Sequence, residues 1–118
     1  MDEDHSHGIE KLNEMRLLGS LKAISELLEM HGVQKWANWF RSDFNDFLAA
    51  RGQPHEKQRQ LAVIMHVLMA FGGMSEFSSL ALKDENGEMI PEANERLREL
   101  AAQLWAGARG MQAALMNK

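Results

Sequence analysis

The sequence contains neither cysteine nor tyrosine among its 118 residues. Without cysteine, a disulfide scaffold, a thiolate metal site and a cysteine nucleophile are all excluded. The side chains left for catalysis are mainly serine, histidine and the carboxylates, and no G-x-S-x-G, P-loop or G-x-G-x-x-G motif occurs. The sequence therefore offers no recognisable catalytic set, and we predict no catalytic residue and no cofactor.

Long apolar runs and clustered positive charge are also missing. The longest apolar run, 61–71, is interrupted by His66 and is too short to cross a bilayer. The N-terminus is acidic, whereas a secretory signal begins with basic residues. The net charge is −4, and Lys57, Arg59 and Arg51 form only a thin cationic patch. We expect a cytoplasmic protein that binds neither membranes nor nucleic acids.

Helical periodicity is what the sequence has in abundance. Apolar residues recur at steps of three and four, which is typical of helices that bury one face. They predict four helices, at about 9–31, 33–51, 54–71 and 91–115. We therefore expect an all-α, four-helix bundle-like single domain over residues 9–118, preceded by a flexible acidic and histidine-containing tail at residues 1–8.

Two segments depart from this simple pattern. The stretch LAVIMHVLMAF in the third predicted helix has no polar face, so we expect it to be buried at the centre of the bundle. Residues 72–90 have no helical period, but they combine short apolar alternation with Asn86-Gly87. This combination predicts an irregular excursion or a small β-hairpin between helices 3 and 4.

The order of several local motifs resembles a known family. A tryptophan-bearing helix, HGVQKWANWF, is followed by a GGMxxF step, an NG turn and a helix containing NERL. This order resembles a family of small, stand-alone, helical bacterial proteins of unknown function, over roughly residues 21–109. The resemblance implies a bacterial origin and a single domain, and it implies no reaction.

Trp39 is the first candidate for a contact residue. It lies roughly 120° from the centre of the apolar face of helix 2, at 100° per residue, whereas Trp36 and Trp105 lie nearer the apolar faces of their helices. Exposed tryptophans are enriched at interface hot spots, although we slightly favour a Trp39 that is covered by the loop or by helix 1. The predicted partner-binding residues are Trp39, Asp43, Asp46, Lys35, Met74 and Phe77. The segment from Met74 to Phe77 is either an apolar hook or, as we favour, a lid over the core.

The histidines are weaker candidates. His5 and His7 lie among acids and could chelate a divalent ion, but we interpret them as parts of a solvated tail and predict no metal site. His66 could be a base or a pH-sensitive group. Because no carboxylate lies within one helical turn of it, we expect a core histidine with an ordinary hydrogen bond.

Three functions remain open on these grounds. The favoured one is a non-enzymatic protein–protein interaction module, such as an inhibitor or immunity-type partner of another bacterial protein. An alternative is a ligand-binding or enzymatic domain that uses His66, with a pocket between helices 3 and 4 and residues 72–90. A second alternative is a homo-oligomeric structural protein.

Overall fold

The computed structural model describes residues 2–72 and 76–116, and gives the backbone alone for residues 2–10 and for residue 76. In these ranges the fold is all-α, with four helices packed as a compact bundle, so this part of the expectation is confirmed. The helices are α1 (Asp2–Met30), α2 (Gln34–Ala50), α3 (Glu56–Met69) and α4 (Pro91–Met116). A short 3₁₀ helix, η1 (Glu76–Ser79), lies between α3 and α4.

The start of α1 differs from the predicted boundary. The helix begins at Asp2, so residues 2–8 are continuous with it rather than separated from it. Apolar periodicity does not reveal this start, because residues 2–8 contain no apolar side chain from which a helical period can be recognised. The division of the chain into a flexible tail and a domain stays a prediction.

Gly32 ends α1 as its position in the sequence predicts. Its φ of 75° is left-handed, a conformation that glycine adopts without steric cost. The amides of Gly32 and Val33 donate to the carbonyls of Glu29 and Leu28, at 3.0 and 2.8 Å. This pair of bonds is a Schellman motif, which satisfies carbonyls left open at the helix end and turns the chain into α2.

The connection between α3 and α4 does not form the expected β-hairpin. The only pairing described in it is an isolated antiparallel bridge between Lys83 and Met89. The chain does turn at Asn86-Gly87: the Gly87 amide donates to the Asp84 carbonyl at 3.0 Å, and Gly87 has a left-handed φ of 79°. The Asp84 carboxylate also accepts from the amides of Asn86 and Glu88 at 2.8 and 3.0 Å.

Asn94 in α4 fixes this connection to the bundle. Its side chain accepts from the Leu82 amide at 2.7 Å and donates to the carbonyls of Leu82 and Ile90 at 2.8 and 2.9 Å. Leu82 and Asn94 are both buried. Buried polar groups are costly unless hydrogen-bonded, and here the amide of one side chain satisfies both backbone groups of Leu82.

The helices α1 and α4 approach each other closely where α4 carries glycine. A Cβ on Gly107 would lie 3.3 Å from both Cα and N of Leu17. The absence of a side chain at this position of α4 therefore allows a close helix contact. Gly19 in α1 differs, since nothing lies within 4 Å of a Cβ built on it.

The α3 helix is not buried all round, so that expectation was wrong. Its inward face consists of Gln60, Val63, Ile64 and Val67. On the outward face, Met65 and Met69 are 48% and 64% exposed. The outward residues are apolar, so the sequence showed no polar face. The helix therefore presents apolar side chains to solvent.

Candidate functional site

An aromatic cluster packs α2 against the segment that follows α3. Trp36 is buried, and its ring centroid lies 5.1 Å from that of Trp39 and 5.4 Å from that of Phe77. Phe77 also packs edge-on against Phe40 and Phe71, at 5.2 and 5.4 Å. Edge-on and offset ring pairs stabilise a core beyond their burial alone. Phe77 thus covers the core, as the lid interpretation predicted, and is not an exposed contact.

Beside this cluster, α2 and α3 bring together Asp43 and His66. The Asp43 side chain is 2% exposed, and its Oδ1 lies 2.5 Å from Nδ1 of His66. The second oxygen, Oδ2, is buried without a hydrogen-bond partner among the described residues. When the carboxylate is ionised it can only accept, so Nδ1 carries the proton and Nε2 of a neutral imidazole keeps its lone pair.

Burial is the main influence on the acidity of Asp43. It raises the pKa of this carboxyl from 3.8 to about 6, because the charged form loses hydration. The hydrogen bond from His66 and its charge act in the opposite direction, and the nearby charge of Asp46 adds a smaller rise. The pair is thus a buried acid held by a partly exposed imidazole, whose side chain is 41% exposed.

His66 is therefore not the core histidine that we expected. Its partner, Asp43, is 23 positions away in sequence, so a search within one helical turn does not find it. The two residues meet because α2 and α3 pack side by side and each places one polar residue at the edge of the shared interface.

Trp39 lies flat against His66. The two ring centroids are 3.9 Å apart with 13° between the planes. Trp39 is half-buried, and its Nε1 is buried without a hydrogen-bond partner among the described residues. Trp39 therefore supports the imidazole from one side, while Asp43 fixes one of its nitrogens. It is not a fully exposed anchor.

A continuous outward surface runs from Trp39 across α3 to α4. Its members are linked by ring stacking, by helical spacing and by contacts between side chains. We call it the α3 face, and it comprises Trp39, Met65, His66, Met69, Trp105, Arg109 and Gln112. Gln112 Nε2 lies 3.3 Å from Met65 Sδ, and Arg109 Nη1 donates to Gln112 Oε1 at 2.9 Å.

Trp105 completes the α3 face on the α4 side. It is 45% exposed, so the expectation that it lies in the core was wrong. The Arg109 guanidinium lies 5.5 Å from its ring centroid, within the range of a cation–π contact. Trp105 lies at the rim of the apolar stripe of α4, and sequence spacing alone does not show where the neighbouring helix ends.

The remaining predicted contact residues are dispersed. Lys35 Nζ lies 5.1 Å from the Trp36 ring centroid. Asp46 is exposed and accepts from Ser42 Oγ at 3.4 Å. Met74 lies outside the described residues. A role of Trp39, Asp43, Asp46 and Lys35 in partner binding stays a prediction. The structure brings Trp39 and Asp43 together at His66, whereas Lys35 and Phe77 contact Trp36.

In the part of the chain that the structure describes, no three or more His, Asp and Glu side chains are grouped so that they could hold a metal ion. The side chains of His5 and His7 lie outside the described residues. No described helix combines the length and hydropathy that a membrane span requires.

Comparison with protein-family models, curated proteins and solved structures gives no match to this chain. The resemblance drawn from the sequence holds at a coarse level, that of a small protein with four helices in its described residues. It does not extend to a family.

Proposed function

We propose that this chain is a non-enzymatic protein–protein interaction module, of the inhibitor or immunity-partner kind, and that the α3 face is its contact surface. The observation that carries the proposal is the exposure of Met65, Met69 and Trp105, at 48%, 64% and 45%. Met65 is linked to Trp105 through Gln112 and Arg109, and large apolar side chains exposed on one surface typically mark an interaction site.

The residue types of the α3 face support this role. Tryptophan, methionine and arginine are enriched at interfaces, and tryptophan and arginine dominate binding hot spots. Trp105 and Arg109 are already in contact, so Arg109 has less conformational freedom to lose on binding. Met65 and Met69 have flexible, polarisable side chains that adapt to the shape of a partner.

The chemistry of the α3 face specifies the kind of partner. Its centre is apolar, and Arg109 provides a cation at one end. The matching surface is an apolar segment of a different protein, with an acidic residue opposite Arg109. Such a residue would make a charge-assisted hydrogen bond without displacing Trp105 from the apolar contact.

Site-specific photo-crosslinking tests the proposal. A photoreactive residue is placed at position 69 or 105, and at position 30 as a control, since Met30 is 77% exposed but lies on α1 outside the α3 face. We expect one and the same protein to be crosslinked from positions 69 and 105 in cells that naturally produce the chain, and not from position 30.

The crosslinked protein is then purified and its affinity measured by calorimetry. Trp105→Ala should weaken binding at least about tenfold, or roughly 1.4 kcal/mol, as for a hot spot. Met30→Ala should leave the affinity unchanged. Crosslinking from all three positions, or an affinity insensitive to Trp105→Ala, would refute the proposal. Crosslinks only to a second copy of the chain would establish the homo-oligomer instead.

An enzymatic function is the second candidate, and the Asp43–His66 pair favours it. A buried carboxylate that orients an imidazole is an arrangement used in general-base catalysis. In this case the site lies at the α2–α3 edge rather than beside residues 72–90. Hydrolysis of a panel of activated esters that disappears in His66→Gln would support it.

A further inference from the structure

Three neighbouring residues of α3 carry donor atoms that favour one class of metal ion. In the sequence Met65-His66-Val67-Leu68-Met69, the thioethers are one helical turn apart, and His66 is three residues before Met69. Residues three and four apart on a helix are neighbours, with about 5–6 Å between their Cβ atoms. Met65 and Met69 are exposed and His66 is half-buried, so all three donors are accessible to an ion from solvent.

Asp43 prepares His66 for metal binding. A metal-bound histidine usually donates its other N–H to a carboxylate, which fixes the tautomer and makes the ligand nitrogen more basic. Asp43 Oδ1 occupies that position on Nδ1, at 2.5 Å. Trp39, stacked at 3.9 Å, holds the ring plane from the side. His66 Nε2 is the nitrogen left for an ion.

Donor softness decides which ion fits. Thioether sulfur is a soft ligand that selects copper(I), while imidazole also suits copper. Zinc sites use thiolate, imidazole and carboxylate, and magnesium and calcium require oxygen ligands. We propose that Met65 Sδ, His66 Nε2 and Met69 Sδ bind one soft monovalent metal ion, copper(I), and that Asp43 is the positioning residue for His66.

This site is independent of the proposed protein partner, although both use Met65 and Met69. Metal binding is measured on the isolated full-length chain, and crosslinking is performed without added metal. A negative result in one of the two experiments therefore refutes one proposal and leaves the other untouched. The Gln112 contact to Met65 Sδ is a weak hydrogen bond that an ion can replace at small cost.

The test uses silver(I) nitrate, a redox-stable substitute for copper(I), titrated calorimetrically into the full chain in a chloride-free buffer. Three variants are compared with the wild type. Met65→Leu/Met69→Leu removes both sulfurs while nearly conserving side-chain volume. Met15→Leu/Met30→Leu is the matched control, because both residues are exposed on α1. His5→Ala/His7→Ala tests whether the N-terminal histidines are the source of binding.

We expect one silver ion per chain, with an affinity at least tenfold lower in Met65→Leu/Met69→Leu and unchanged in the other two variants. Asp43→Asn should weaken binding by about 10–100-fold, as is typical when the carboxylate that holds a metal-bound histidine is changed. It should also alter the imidazole ¹⁵N shifts that report the His66 tautomer. In methyl NMR spectra, silver should shift the signals of Met65 and Met69. No binding, binding retained by Met65→Leu/Met69→Leu, or binding lost in His5→Ala/His7→Ala would overturn the proposal.

Discussion

The two sides of the bundle are packed by opposite means. Between α1 and α4 the backbones touch, because Gly107 has no side chain to separate them from Leu17. Between α2 and α3 the contact is made by large side chains that include a tryptophan, an imidazole and a buried carboxylate. At Gly107 the first interface accepts an added Cβ only if the Leu17 backbone shifts. The second is filled by polar and aromatic groups, so protonation or ligands can affect it.

Removal of an aromatic side chain should have the largest effect. Trp36→Ala should lower the free energy of unfolding by about 3–5 kcal/mol, because it leaves a cavity among Trp39, Phe40 and Phe77. Urea unfolding followed by circular dichroism measures this loss. A loss below about 1 kcal/mol would show that the aromatic cluster does not hold α2 in place.

Adding one methyl group should have opposite effects on stability at two glycine positions. Gly107→Ala should cost about 1–3 kcal/mol, because the new Cβ would press on the Leu17 backbone, which cannot move unless α1 moves. Gly19→Ala, where the Cβ meets nothing, should instead stabilise the helix by up to about 1 kcal/mol.

Paired denaturant melts of the two glycine variants provide the comparison. If both substitutions change the unfolding free energy equally, the α1–α4 interface does not depend on backbone contact. The two sides of the bundle would then not differ in the way described above.

The α2–α3 side should respond to pH. The folded-state pKa of Asp43 is raised to about 6 from 3.8, so the folded state favours the protonated carboxyl. The resulting stabilisation is complete below about pH 3.8 and is lost as pH rises through about 6. We expect a loss of about 2–3 kcal/mol, since a change of one in pKa corresponds to about 1.4 kcal/mol.

The pH effect is measured as the difference in unfolding free energy between the wild type and Asp43→Asn from pH 4 to pH 7.5. The variant has no titratable group at this position. The contributions of the other acids to the unfolding free energy therefore cancel in the difference. A constant difference over this range would contradict the raised pKa of Asp43.

Trp105→Ala should have the smallest effect on folding. Trp105 lies on the surface of α4 and contacts Arg109 in the following turn. Its removal should change the unfolding free energy by about 0.5 kcal/mol or less, as is usual for surface positions. Thermal melts of Trp105→Ala and Trp36→Ala compare an exposed tryptophan with a buried one in the same chain. A large destabilisation would place Trp105 in the core after all.

Local chemistry explains which parts of the fold could be predicted. The end of α1 was predictable because glycine adopts the left-handed conformation of a helix end without steric cost, as Gly32 does. The outward face of α3 was not, because methionines are apolar whether they face solvent or the core. Asn86-Gly87 correctly marked a turn, with Gly87 left-handed, but a turn alone does not pair the flanking residues as strands.

The candidate site was only partly visible in the sequence. Trp39 was identified because a helical wheel places it off the apolar stripe, and Asp43 because it lies one turn from Trp39. Their contact with His66 depends on how α2 and α3 are aligned. That alignment is a tertiary effect, which the pattern of a single helix does not contain.

Asn94 has a consequence for how the protein opens. A side-chain amide has the same donor and acceptor as a peptide group, so Asn94 pairs with Leu82 as a neighbouring strand would. One residue of α4 thus makes the hydrogen bonds that a neighbouring β-strand would make to the connection between α3 and α4. If that clamp opens, the connection can detach as a unit while the four helices stay folded, and the Leu82 amide then exchanges its hydrogen earlier than the helical core around it.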